Sequence, residues 1–141
     1  MAEYTNVVIQ NVAENANVVF SETPFGCNKN YVNHREGSGI FTLRGITNQC
    51  RALYKVSFGA NIAIPTGGTV EEISIALSIE GEALGASTAI VTPAAVEEFF
   101  NVFVAAYIPV DRGCCLTVSV KNTSGQAIDV QNANLIIERI A

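Results

Sequence analysis

The chain has 141 residues, about one domain, with 8 Lys and Arg against 13 Asp and Glu and a net charge of −5. That balance excludes a nucleic-acid partner held by phosphate neutralisation and a polybasic membrane-surface role. With 49% apolar and only 15% charged residues, the chain is too apolar for intrinsic disorder, yet Gly, Asn, Ser or a charge interrupts every stretch before the roughly 18 residues a membrane helix needs. The start, Met1-Ala2-Glu3-Tyr4-Thr5-Asn6, has no basic region before an apolar core, so no secretory leader is expected there.

Val and Ile number 30, Thr 10 and Leu only 6. Branching at Cβ restricts χ1 in a helix and suits a pleated strand, so an all-β chain is expected. In chain order the expected strands lie at about 5–12, 17–20, 30–34, 39–44, 52–62, 70–79, 87–91, 99–109, 115–121 and 127–139. Two-residue alternation is clearest in Tyr54, Val56 and Phe58, in Ile73, Ile75, Leu77 and Ile79, and in Leu116, Val118 and Val120. Turns are signalled by Glu36-Gly37-Ser38-Gly39, Pro65-Thr66-Gly67-Gly68, Glu80-Gly81-Glu82, Asp111-Arg112-Gly113 and Asn122-Thr123-Ser124-Gly125. Thr92-Pro93 followed by Ala94, Ala95, Val96, Glu97 and Glu98 offers a helix start, for one or two turns at most. About ten short strands at this spacing imply an antiparallel two-sheet sandwich or jelly roll. One domain over 1–141 is expected, with 1–25 either its first strands or an attachment arm.

The segment Phe99 to Ile108 is apolar on both parities. Phe100, Val102, Val104, Ala106 and Ile108 would face the core, and Phe99, Phe103, Ala105 and Tyr107 the other side. A sandwich of this size has one core, so the second face needs a cover. A partner subunit at Phe99, Phe103, Ala105 and Tyr107 is the expectation in a chain so short of charge; a loop of the same chain is the alternative.

No residue is expected to be catalytic, to hold a cofactor or to bind a metal. His34 is the one histidine, beside a turn, and reads as a surface or packing residue. Gly67-Gly68 lacks the strand–loop–helix context and Lys of a phosphate loop. Glu71-Glu72 and Glu97-Glu98 are adjacent, so on a strand they would diverge; solvated turn ends explain them. No dense Asp cluster suggests calcium. Cys27, Cys50, Cys114 and Cys115 lack a zinc spacing. Free thiols, mostly buried, are the first reading and one or two disulfides the second. Asn122-Thr123-Ser124 fits both a glycosylation pattern and a turn, and the turn is preferred.

The order Gly39-Ile40-Phe41-Thr42-Leu43, Tyr54 to Ile62, Ile73 to Glu82, Val118 to Asn122 and Asn134 to Ile137 resembles the TNF-like jelly roll over residues 38–141. That fold also occurs in complement globular heads and at the tips of collagen-like spore-surface proteins, and the resemblance implies a homotrimer with the last strand near its centre. These residues hold no collagen-like Gly-x-y repeat, so a spore-surface stalk is not expected. Tyr31 to Gly39, Leu43-Arg44-Gly45, Pro65 to Gly68 and Arg112-Gly113-Cys114-Cys115 are similar to small proteins of gut Firmicutes and their prophages, some of them virion components. The resemblance implies a non-enzymatic trimeric capsid decoration or head-fibre protein on the virion surface, assembled in the bacterial host cytoplasm. Its partners would be itself and the major capsid protein or another virion protein. The alternative is an adhesin module of a tail tip, spore or cell surface that binds a receptor or host glycan, against which stand the absence of Trp and the 8% aromatic content. A metal-dependent jelly-roll enzyme would need several converging His or carboxylates, and one His argues against it. No cofactor, nucleic acid or membrane is expected.

Overall fold

Eleven strands and no helix form among residues 2–26 and 31–141, which the computed structural model describes. They are β1 (Ala2–Asn6), β2 (Gln10–Val12), β3 (Glu22–Phe25), β4 (Val32–His34), β5 (Phe41–Arg44), β6 (Arg51–Ala63), β7 (Ile73–Ile79), β8 (Glu82–Val91), β9 (Phe100–Asp111), β10 (Cys115–Asn122) and β11 (Ile128–Arg139). One sheet runs β3-β1-β11-β6-β9, with β2 also on β11; the other runs β4-β5-β10-β7-β8. Every pairing is antiparallel. The chain is an all-β jelly roll.

The core lies between the two sheets and follows the alternation of the sequence. Tyr54, Val56, Phe58 and Ile62 of β6, Leu135 and Ile137 of β11 and Val104, Ile108 and Val110 of β9 meet Phe41, Leu43, Ile75, Leu77 and Val120 across the gap. Phe20 stands between them, edge-on to Phe41 at 5.4 Å and to Phe58 at 6.2 Å, a favoured geometry for aromatic pairs.

Local conformations serve this plan. Glu80 and Gly81 both take positive φ, 53° and 82°, as a two-residue hairpin between β7 and β8 requires. A bulge in β11 between Gln131 and Asn134 shifts its register against β6, with Asn132 at φ 56°. β1 and β2 lie on the same edge of β11, and Val7, Val8 and Ile9 between them are exposed.

Three expectations need correction. The strand expected at 17–20 is reduced to isolated bridges, Asn17 to Lys121 and Phe20 to Ser38. The short helix at 92–98 does not form. The Glu97 N–H donates to the Ile64 carbonyl at 2.7 Å, its carboxylate accepts from Thr66 at 2.5 Å, and Glu97 takes φ 59°. These contacts outweigh a helix too short to offset its nucleation cost. The structure also adds β3, a four-residue edge strand containing Pro24, which the alternation does not mark.

Candidate interaction surface

β9 closes one edge of its sheet, and its register places an apolar patch on the outer face. Phe103 stands opposite Gly59, Ala105 opposite Ser57 and Tyr107 opposite Lys55. The next strand continues these rows with Asn134, Ile136 and Glu138, and β1 adds Thr5 and Glu3. Phe103 is 65% exposed and Tyr107 64%, so no loop among the described residues covers either ring. Ala105 is half-buried between them. Phe103 lies across Gly59, with its Cδ2 3.8 Å from where a Cβ of residue 59 would be; the ring shields backbone that glycine leaves bare. The result is a shallow hollow of Ser57, Gly59 and Ala105 between two large rings.

Charge on this face lies at Lys55 and Glu138 in the Tyr107 row and at Glu3 on β1. Glu3 accepts from the Asn134 amide at 2.6 Å. Covering Phe103 and Tyr107 is worth about 2 kcal/mol per ring by area. Phe99 precedes the strand and is half-buried. Phe100, expected in the core, is 36% exposed. It is the first residue of β9, paired with the buried Ile62.

The remaining sequence candidates are dispersed. The His34 ring stacks on Phe41 at 4.2 Å and meets Tyr4 at 4.8 Å, and its Nε2 is 2.9 Å from the Ser38 carbonyl. It is a packing residue at the rim of a 660 Å³ cleft, which Asn33, Arg35, Glu36, Thr23 and Thr42 also line. Glu71, Glu72, Glu97 and Glu98 are exposed at turn ends. Among the described residues no group of three or more His, Cys, Asp or Glu is placed to hold a metal ion.

The cysteines depart from expectation. Cys50, Cys114 and Cys115 are free but exposed; the expectation of mostly buried thiols fails because all three sit where strands begin or turn, outside the layer between the sheets. Cys27 lies outside the described residues.

The architecture matches solved structures. It is similar to murine APRIL at pH 5.0, with TM-score 0.61 and 11% identity over 97% of this chain and 98% of that one. It is similar to the globular domain of zebrafish complement 1qA protein, with TM-score 0.54 and 11% identity over 96% and 94%. It is also similar to PRD1 vertex protein P5, with TM-score 0.50 and 13% identity over 99% and 97%. The shared fold is the TNF-like jelly roll. No protein-family model matches the chain, and no curated protein does.

Proposed function

We propose that this protein is a non-enzymatic structural component of a virion, a homotrimer that decorates the capsid or forms a head fibre. One observation carries the reading: a β-sandwich leaves the Phe103 and Tyr107 rings uncovered, with Ala105 between them, on the outer face of a sheet. Apolar patches of this kind mark subunit interfaces, and closed cyclic symmetry is the usual way identical chains cover them. The likeness to a vertex protein supports the virion setting, and the TNF-like fold supports three copies. In this reading the trimer attaches to the major capsid protein or another virion protein, and many weak contacts on a repeating shell add to firm attachment.

Light scattering on the purified chain tests the assembly: a mass of three chains is expected, and a monomer at all concentrations overturns it. Co-sedimentation with capsids, followed by imaging, tests the setting; failure to sediment with shells removes it. A second reading, an adhesin that binds a receptor or glycan, is favoured by the cleft that Asn33, Arg35 and Glu36 line together with Tyr4 and Ile40. Binding on a glycan array that is lost with Arg35→Ala supports that reading, and an array without hits counts against it.

A further inference from the structure

One end of the sandwich gathers sulfur and positive charge in a chain that is acidic overall. Cys50 directly precedes β6, and its carbonyl accepts from the Arg112 N–H at 3.0 Å. Cys114 and Cys115 follow the Arg112-Gly113 turn. The Cys114 carbonyl accepts from the Gly45 N–H at 2.8 Å, and Cys115 pairs in register with Arg44. Arg51 pairs in register with Asp111 beside them. A hollow of about 70 Å³ opens here, lined by Arg44, Gly45, Ile46, Gly113, Cys114 and Cys115. Cysteine is among the residue types most often buried, yet Cys114 and Cys115 are free and exposed in a hollow that Arg44 also lines.

We propose that the rim of this hollow is a thiol–disulfide exchange site at which an anionic low-molecular-weight disulfide of the glutathione disulfide class reacts from solution, leaving the protein with a mixed disulfide. The thiolate of Cys114 or Cys115 attacks one sulfur of the disulfide. A new S–S bond joins that sulfur to the protein, and the original S–S bond breaks. The other half leaves as a thiolate and takes up the proton that the cysteine gave. The protein thiol is oxidised and the departing half is reduced, so no further oxidant is needed. Arg44, which lines the hollow, supplies the attraction for the carboxylates of the incoming molecule.

Two features make the mixed disulfide the end product. Adjacent Cα atoms stand about 3.8 Å apart, whereas a disulfide prefers roughly 4.4–6.8 Å, so closure of Cys114 on Cys115 is strained. Two copies meeting end to end would set arginine against arginine, which opposes a cross-link between chains.

The test uses the full chain with Cys27→Ser and Cys50→Ser, so that only the hollow thiols react. Adduct formation is followed by intact mass with glutathione disulfide, an anion, and with cystamine, a cation. Each rate is divided by that of the urea-unfolded chain, which removes intrinsic reactivity. We expect glutathione adducts on Cys114 or Cys115, with a normalised rate roughly threefold to tenfold above that of cystamine at low salt. The preference should shrink in high salt and with Arg44→Gln. Equal normalised rates, a preference that survives both salt and Arg44→Gln, or a disulfide within or between chains as the main product overturns the proposal.

Discussion

The Asn122 side chain is wholly enclosed and reaches four backbone partners. Its Nδ2 shares two N–H hydrogens among the carbonyls of Val12 at 3.0 Å, Ala13 at 3.2 Å and Gln126 at 2.9 Å, and its Oδ1 accepts from the Ser124 N–H at 2.9 Å. One residue thereby ties β2 and the turn before β11 to the end of β10, and its amide is spent on structure rather than offered for glycosylation. Asn122→Ala leaves several buried groups without partners, and we expect a loss of about 3 kcal/mol, read as a lower urea midpoint with an unchanged slope. Gly45 is held more by space than by bonding. A Cβ there would lie 2.0 Å from the Asp111 carbonyl oxygen and 3.1 Å from that of Cys114. Backbone cannot swing aside as a side chain can, so Gly45→Ala must part the β5 and β10 connections. We expect a cost of about 3 kcal/mol in the same urea measurement, whereas Gly37→Ala, where nothing lies near, carries only the strain of its positive φ.

Along β9 two neighbouring residues have opposite duties. Val104 is buried and Phe103 faces outward. Val104→Ala opens space in a filled core and should lower stability by about 2 kcal/mol. Phe103→Ser should change the stability of the dissociated chain by under about 0.5 kcal/mol while reducing the mass seen in light scattering to one chain. A Phe103→Ser protein that keeps the wild-type mass removes this face from the interface. Phe103 and Val104 could be told apart from the sequence because a period of two leaves no freedom once one parity is assigned to the core. The same logic placed Val56, Leu77 and Val120 inward. It fails at β3, where Glu22-Thr23-Pro24-Phe25 is short, mostly exposed and has no buried parity to read. It fails at Glu97 because the deciding partners, Ile64 and Thr66, are about thirty residues away. The exposed thiols were hidden for a related reason: the preference of cysteine for the interior is an average, and position at a strand end overrides it. The aromatic side of the candidate site was therefore legible, and the arginine-and-thiol end was not, since Arg44 meets Cys114 and Cys115 only after β5 and β10 pair.

At the scale of the whole molecule, the fold by itself assigns no partner. Proteins as different as APRIL, a complement globular domain and a vertex protein share it with this chain at 11–13% identity, so function must be argued from surfaces. The β9 sheet presents apolar rings on one side, while Glu71, Glu72, Glu97 and Glu98 stand exposed in the β6–β7 and β8–β9 connections. Association through the rings has a thermodynamic signature that separates it from contact through charge. A partner that binds only the folded chain stabilises it by mass action, about 2.7 kcal/mol at a hundredfold excess over Kd, and each kcal/mol moves the Tm of a chain this size by about 3 °C. We therefore expect the Tm to climb with protein concentration, and to climb equally in low and high salt, because screening acts on exposed charges and not on apolar burial. Phe103→Ser should flatten that dependence, whereas Glu97→Ala should lower the Tm uniformly, by losing its Thr66 contact, and leave the slope intact. A Tm independent of concentration in the unaltered chain would mean that Phe103 and Tyr107 face water throughout the life of the protein, and the trimer would go with it.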